Sequence, residues 1–333
     1  MRVMIMAAGK GTRLRPITDL VPKPMAPIVN RPALYHILRL LGRHGFSEVV
    51  VNLHHLPEII TGYFGDGAWM GLKITYSFEP ELLGTAGGVK NNADFLGGDT
   101  FLVMSGDALT DIDLTGLVAA HRRSGSIATL AVKEVADPSL YGVVVADDDD
   151  RVVGFQEKPT REEARSRLCN CGMYVFEPEI LSHILPGQFD DFGRRLFPDL
   201  LRERVRLHAE TVAGYWSDVG NLGEYVRGNA DALAGRVEVE MPGTEIRPGV
   251  WVDAEARVPP SVRIVPPVVI GKGCELGEDV VLEGPAVIGD RSVLGAGSHV
   301  ARGLVLPGSH VPAGSLVVDG VIGQRLDAAG HDE

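Results

Sequence analysis

The sequence predicts a three-layer α/β domain with a mainly parallel sheet, followed by a left-handed parallel β-helix. Two observations carry that expectation. From residue 1 to about 235, short apolar runs alternate with amphipathic stretches, and from about 240 onward an aliphatic residue returns every six positions.

In the first part, residues 3–7 (VMIMA), 49–53 (VVVNL), 73–78, 100–105 and 127–134 read as strands, and 32–44, 57–64, 85–95 and 114–123 as helices between them. Strand–helix alternation of this kind builds a parallel sheet covered by helices. Residues 141–157 break the pattern, because two β-rich runs flank Asp147 to Asp150. A hairpin is expected there, with the four acids as its solvated tip, since consecutive carboxylates at a turn point in different directions. Asp111 and Asp113 precede the helix at 114–123 and read as its caps. Adjacent His54 and His55 face opposite ways on a strand and so read as structural rather than as a metal pair.

In the second part the aliphatic series runs Val252, Val258, Ile264, Ile270, Leu276, Leu282, Ile288, Leu294, Val300 and Leu306, is interrupted by Pro312 and resumes at Val318. Gly271, Gly277, Gly289 and Gly295 follow their aliphatic partners directly. A fixed six-residue register is the sequence form of a β-helix, each turn stacking its aliphatic residue on the one below. At three hexapeptides per coil the series makes about four coils. The expected domains are 1–238 and 239–322, with 323–333 a disordered tail.

The chain has 333 residues, 45% of them hydrophobic, which is enough to bury a full core. A net charge of −12 argues against nucleic acid as a partner, because duplex binding needs a broad basic face. Three cysteines (Cys169, Cys171, Cys274) supply neither a disulfide framework nor a four-ligand zinc pattern. The opening apolar run is too short for a secretory leader, and no stretch approaches the length of a membrane span. The expectation is a cytoplasmic protein without a membrane partner.

Local charge runs against the global balance. Residues 1–23 hold Arg2, Lys10, Arg13, Arg15 and Lys23 against Asp19, on a glycine loop that follows the first strand. That is where α/β sheets receive phosphates. A dinucleotide fingerprint is discounted because position 14 is Leu14 and Pro16 follows, and Gly9-Lys10-Gly11-Thr12 is not a Walker loop. What remains is a loop whose glycines let backbone N–H groups approach a base and phosphates, with Arg13 and Lys23 neutralising a polyphosphate. Lys10 and Arg15 are open between a phosphate contact and a surface charge. Asp107 closes the apolar run FLVMSGD, so it is expected at the carboxyl end of a strand, in the ligand crevice of a parallel sheet.

GKGTRLRPIT…VPKPMAPI resembles the signature of the sugar-1-phosphate nucleotidyltransferases, the NDP-sugar pyrophosphorylases. The resemblance continues through ELLGTAGGV (81–89), SGDALTDIDL (105–114), YGVV (141–144), FQEKP (155–159), NCGMYVFEPEIL (170–181) and GYWSDVGNLGEY (214–225). LGTAGGV, VVNLHHLPEII and YFGDG look most like mannose-1-phosphate guanylyltransferases and their bacterial relatives.

The resemblance implies a Rossmann-like nucleotidyltransferase domain and the reaction of an NTP with a sugar 1-phosphate to give NDP-sugar and pyrophosphate. GTP and mannose 1-phosphate are favoured by resemblance; dTTP, UTP or ATP, and glucose or another sugar or cyclitol phosphate, fit the same frame. It implies that Ala8, Gly9, Gly11 and Thr12 cradle the nucleotide, that Arg13 grips the leaving pyrophosphate and that Lys23 reaches the phosphates. Gly84, Thr85 and Gly88 would pack against base and ribose. Tyr141, Gly142, Asn170 and Gly172 would line the sugar pocket, Glu157 would accept from sugar hydroxyls and Lys158 would bind the sugar phosphate. Asp107 and Asp218 would be the ligands of Mg²⁺, which needs only a couple of carboxylates besides phosphate oxygens and water.

Two other classes are weighed. Acyl transfer is carried by many hexapeptide helices, and His299 and His310 are the histidines in the repeats. The repeats run without an inserted loop, so the β-helix is read as a packing or homo-oligomerisation module. A non-catalytic NDP-sugar sensor would not need both metal acids.

Overall fold

The computed structural model describes residues 1–323; the remainder of the expected tail lies outside the described residues. Two compact units form. The first comprises residues 1–10, 37–108 and 112–216, and the second comprises 11–36, 109–111 and the described residues from 217 on.

The first unit is built on one nine-stranded sheet. Its strands are β1 (Val3–Met6), β2 (Glu48–Leu53), β3 (Lys73–Phe78), β4 (Phe101–Ser105), β5 (Ala128–Glu134), β6 (Gly142–Ala146), β7 (Val152–Glu157), β8 (Leu168–Phe176) and β9 (Leu207–Thr211). The order β7-β6-β8-β4-β1-β2-β3 runs along the sheet, with β5 on the other side of β8 and β9 beyond it. The strands β4, β1, β2 and β3 are all parallel, with Val3 opposite both Val49 and Leu102. Val3, Met4 and Ile5 are all fully buried, as are Leu102 and Val103, so this part of the sheet is covered on both faces. On one face an aromatic cluster fills the core: Tyr174 stacks on Phe176 at 5.5 Å, and Phe192 and Phe197 close over them. The expected hairpin is β6–β7, and Asp147 organises its tip by accepting from the Asp149 and Arg151 N–H groups.

The helices α1 (Ala33–Arg43), α2 (Pro57–Phe64), α3 (Gly84–Asn91) and α4 (Leu114–Ser124) sit where the pattern puts them, with one difference. The stretch expected as a single helix over 85–95 stops at Asn91, and a separate turn begins at Ala93. Between them Asn92 donates its Nδ2 to the Gly88 carbonyl at 2.9 Å, so the side chain takes over a carbonyl from the helical ladder. Asp113 caps α4 by accepting from Gly116 N at 2.9 Å. Asp111 does not cap; its Oδ2 accepts the Glu238 N–H instead.

In the second unit, residues 250–322 form parallel strands in three sheets, the turn-by-turn stack of a β-helix. Ile270 lies opposite Ile288, Leu276 opposite Leu294 and Leu282 opposite Val300, each 18 residues on. The glycines after the interior residues are required by space rather than by dihedral: a Cβ on Gly295 would lie 2.4 Å from the Ala313 nitrogen of the next coil. The expected series fails after Val300. Ile288 stacks on Val305, Leu294 on Val311 and Val300 on Val317, so the register slips by one residue. The turn at Arg302, where φ is +50°, is one residue short. Leu306 and Val318 therefore leave the interior, Val318 being 41% exposed, and Pro312 interrupts nothing because Val311 is the buried residue.

Candidate active site

In the first unit the expected residues gather at the carboxyl ends of the parallel strands. Ala8 and Gly9 leave β1; Ala8 is buried, whereas Gly9 is exposed and a Cβ there would meet nothing within 4 Å. Asp107 leaves β4 two residues later than the strand end, and Gly106 before it donates to the Met6 carbonyl at 2.9 Å. A Cβ on Gly106 would lie 3.0 Å from that oxygen and 3.3 Å from Ala7 Cβ, so the two strand ends touch and Asp107 stands beside the glycine loop.

The loop at 83–88 is held from two sides. Behind it lies Glu79, 1% exposed, directly after β3. Its Oε1 accepts Asn52 Nδ2 at 2.7 Å and its Oε2 accepts the Leu83 N–H at 3.1 Å. Asn52 in turn accepts the Ala7 N–H on its Oδ1 at 2.7 Å. One buried pair thus ties the start of the first glycine loop to the start of the second. Gly88 packs on this pair, a Cβ there lying 2.8 Å from Glu79 Oε1 and 2.9 Å from Asn52 Nδ2. In front, the Asp190 carbonyl accepts from Ala86 and Gly87 N–H groups, capping the start of α3. Gly84, at φ +75°, has no room for a side chain, since its Cβ would stand 2.3 Å from that same oxygen. The Thr85 hydroxyl donates to Asp191 Oδ2 and accepts the Phe192 N–H, so this side chain locks the loop. Asp190 itself is buried against Arg195, whose Nε donates to its Oδ1 at 2.6 Å.

The residues expected around the sugar also converge. Tyr141 meets Trp216 edge-on at 5.3 Å, and Trp216 donates its indole N–H to the Cys171 carbonyl at 2.9 Å. Cys171 sits in a bulge of β8, where the register shifts between Asn170 and Tyr174. The Asn170 amide fixes that bulge, donating to the Tyr174 hydroxyl at 2.7 Å and accepting the Gly172 N–H at 3.1 Å. Gly172, at φ +69°, fits against Ser105 at the end of β4, with 3.0 Å between its Cβ position and Ser105 Oγ. Lys158 has φ +47°, and its N–H donates to the Tyr141 carbonyl at 3.1 Å. Glu157 and Lys158 form an ion pair at 3.8 Å, both half-exposed. A Cβ on Gly142 would lie 3.4 Å from Glu157 Oε2, so Gly142 clears the space beside that carboxylate.

The second unit holds the rest of the set. Gly11, at φ +62°, and Thr12 open a 3-10 turn that presents Arg13 to solvent. The Gly11 carbonyl accepts from Thr18 Oγ1, and a Cβ on Gly11 would strike Lys23 Cβ at 2.7 Å. Lys23 is buried and donates its Nζ to the Asp218 backbone carbonyl at 2.8 Å. Arg15 pairs with Asp19 at 3.1 Å on the surface. Gly220, two residues after Asp218, packs against its carboxylate, a Cβ there lying 2.7 Å from Oδ1 and 3.0 Å from Oδ2. Asp107 and Asp218 are hard carboxylate donors, the chemistry that suits Mg²⁺. Among the described residues no group of three or more His, Cys, Asp or Glu side chains gathers as a closed metal cage.

Sequence reasoning missed Glu79, Asn52 and Asp190. Glu79 was open to the argument that found Asp107, an acid directly after a strand of a parallel sheet; Asp190 lies in an irregular loop that offers no such signal.

Residues 2–235 match the model of the nucleotidyl transferase family, and residues 267–302 match that of the bacterial transferase hexapeptide repeat. The chain belongs to the sugar-1-phosphate nucleotidyltransferases. It is 40% identical to a UTP–glucose-1-phosphate uridylyltransferase of Synechocystis over 97% of this chain and 87% of that one. It is 36% identical to a mannose-1-phosphate guanylyltransferase of Mycobacterium tuberculosis over 90% of this chain and 82% of that one. Among solved structures, HddC from Yersinia pseudotuberculosis complexed with GMP-PN superposes with a TM-score of 0.60 at 25% identity, covering 68% of this nucleotidyltransferase and 97% of HddC. Its relatives transfer nucleotidyl groups to sugar 1-phosphates, and so the nucleotidyltransferase is an enzyme of that class.

Proposed function

We propose that the enzyme transfers a guanylyl group from GTP to mannose 1-phosphate, with Mg²⁺, giving GDP-mannose and pyrophosphate. The observation that supports the reading of the site is the contact of Lys23 Nζ with the Asp218 backbone carbonyl, which joins the residue read as a phosphate ligand to the residue read as a metal ligand. The base and sugar are supported by the mannose-1-phosphate guanylyltransferase of M. tuberculosis, 36% identical over 90% of this chain.

In this reading an oxygen of the sugar phosphate, already an anion, attacks the α-phosphorus of the nucleotide. The bond from that phosphorus to the bridging oxygen breaks, and pyrophosphate leaves with the electron pair. No proton moves, so no general base is required, and the work is to neutralise and align two anions. Arg13 holds the departing pyrophosphate with its bidentate fork, and Lys23 supplies a point charge to the phosphates. Ala8, Gly9, Gly11 and Thr12 place backbone N–H groups along the triphosphate, while Gly84, Thr85 and Gly88 shape the base and ribose site. Lys158 pairs with the sugar phosphate, Glu157 accepts from sugar hydroxyls, and Tyr141, Gly142, Asn170 and Gly172 form the sugar wall. Asp107 and Asp218 would hold Mg²⁺, which supplies positive charge to the triphosphate.

A second reading, UTP with glucose 1-phosphate, is favoured by the Synechocystis relative, 40% identical over 97% of this chain. Pyrophosphate release measured across the NTPs and a panel of sugar 1-phosphates, with and without Mg²⁺, decides between them. Turnover confined to GTP and mannose 1-phosphate bears out the first; turnover confined to UTP and glucose 1-phosphate replaces it. We also place the catalytic domain at 1–238 and the β-helix at 239–322, the enzyme in the cytoplasm, and the β-helix in a homo-oligomer. The three cysteines, all buried and unpaired, suit a reducing compartment.

A further inference from the structure

The short strands Pro27–Ile28 and Arg31–Pro32 pair in a hairpin whose two-residue turn is Val29–Asn30. Both turn residues lie in the left-handed region, at φ +42° and +62°. Asparagine adopts that conformation readily, whereas a buried β-branched valine does so only where its surroundings fix it. The surroundings are two elements of the same unit. The Val29 N–H donates to Asn229 Oδ1 at 2.8 Å, and the Tyr225 hydroxyl donates to the Pro27 carbonyl at 2.7 Å; both partners lie on α5 (Leu222–Leu233). Asn30 reaches the other way and donates its Nδ2 to the Ile288 carbonyl of the β-helix at 2.8 Å.

The β-helix makes room for this contact. A Cβ on Gly271 would stand 2.7 Å from Asn30 Nδ2 and 2.4 Å from Asp290 Oδ1. Asp290 is itself fixed, accepting the Lys272 N–H at 2.9 Å. Ile288 is a fully buried interior residue held between Ile270 and Val305, so the carbonyl that receives Asn30 belongs to a rigid stack. The hairpin connects this seat to the site over a few residues. Ala26 N–H bonds to the Lys23 carbonyl at 3.0 Å, the Ala33 N–H bonds to the Ala26 carbonyl at 3.0 Å, and Lys23 places its Nζ on the Asp218 backbone.

We propose that Asn30 is a positioning residue and that the β-helix, through its seat at Gly271, Ile288 and Asp290, fixes the segment that carries Lys23. The β-helix thus sets the rate of nucleotidyl transfer from within one chain, whatever its part in assembly. The proposal rests on the reading of Lys23 as a phosphate ligand. Alignment of two phosphates tolerates little error, a displacement near 1 Å costing on the order of 100-fold in rate.

The experiment uses the full chain and three variants, Asn30→Gly, Asn30→Asp and Gly271→Ala. Glycine keeps the left-handed turn and removes the amide; aspartate keeps the turn and the shape but offers only acceptors to the Ile288 carbonyl. Gly271→Ala disturbs the seat without touching the hairpin sequence. All three are expected to lower kcat by roughly 10- to 100-fold while KM for both substrates changes little. Combining Gly271→Ala with Asn30→Asp should add little to either, because both act on one contact. Amide exchange followed by mass spectrometry should be faster over residues 11–36 in each variant and unchanged over 101–105, and this arm needs no substrate. Unchanged exchange with normal kcat in Asn30→Asp and Gly271→Ala overturns the proposal. Faster exchange with normal kcat also overturns it, leaving the contact as packing alone. A wild-type enzyme silent on every substrate pair defeats the functional reading instead, and exchange still reports on the brace.

Discussion

Lys23 Nζ donates to the Asp218 backbone carbonyl at 2.8 Å across 195 residues of sequence. An ammonium so placed is buried and has Gly11 pressed against its stem. Lys23→Met keeps the stem and removes the charge. We expect kcat/KM to fall by about 100-fold or more, the scale for losing one preorganised donor to a developing oxyanion. Lys23→Arg should not restore it, because a larger planar guanidinium cannot place a compact point charge where Nζ meets the Asp218 carbonyl. Initial rates of pyrophosphate release check both; a near-normal rate in Lys23→Met removes this residue from the mechanism.

The two acids make a sharper test. Asp107→Asn and Asp218→Asn are isosteric and remove a charge that Mg²⁺ would need. Turnover should fall by orders of magnitude in each, with the melting temperature within a few degrees of the parent. Raising Mg²⁺ should recover part of the activity, since one carboxylate remains. If both variants turn over normally at ordinary Mg²⁺, the metal assignment is wrong.

Glu79 and Asn52 predict a different signature, because they act on stability and on the nucleotide loops together. Glu79→Ala leaves Asn52 Nδ2 and the Leu83 N–H without an acceptor in a buried place. Each such group costs about 1–3 kcal/mol, so we expect a loss of roughly 2–5 kcal/mol in chemical denaturation. Glu79→Gln, which keeps an acceptor on one atom only, should fall between. In both, KM for the NTP should rise more than KM for the sugar phosphate, because the tie joins the Ala7 and Leu83 loops; an equal rise in the two constants contradicts that.

These residues also mark how far the sequence could be read. The sheet, the hairpin at Asp147–Asp150 and the β-helix were legible because apolar runs, amphipathic stretches between them and a period-6 aliphatic series each leave a direct trace of which side chains face inward. The slip after Val300 was not, because Leu306 and Val318 are as aliphatic as Val305 and Val317, and the short turn at Arg302 has no sequence signature. Asn92 ended a helix through one side-chain bond that propensity alone does not rank. The candidate site residues were assigned through motif order, but two glycines in those motifs answer to protein neighbours: Gly84 to the Asp190 carbonyl and Gly88 to Glu79. Motif matching finds a position without telling which atom forbids a side chain there.

Lys158 is set by its backbone, at φ +47° and bonded to the Tyr141 carbonyl, beside Glu157 at 3.8 Å. Lys158→Ala should raise KM for the sugar phosphate at least tenfold more than KM for the NTP, measured by varying each at saturation of the other. An equal rise would count against a sugar-phosphate role. Since both side chains are half-exposed, their ion pair contributes little to stability, and the melting temperature should hardly move.

The last prediction concerns pH at the opposite end of the sheet from Asp107. His121 is buried, with Nδ1 2.9 Å from Thr129 Oγ1 and Nε2 3.0 Å from Glu177 Oε1. Burial holds its pKa below the ordinary histidine value; Glu177 opposes the shift, and His208 and Arg122 reinforce it. A histidine depressed in the folded state binds its proton more readily once unfolded. The stability tied to its neutral form is therefore complete above the unfolded value of about 6.5 and is lost as pH falls from there through the folded pKa. The melting temperature should drop as pH falls below about 6.5, and His121→Gln should flatten that slope whatever it does to the absolute value. Turnover at neutral pH should stay near the parent rate, because His121 touches none of the nucleotide or sugar residues. A slope identical in parent and variant would place the pH dependence elsewhere.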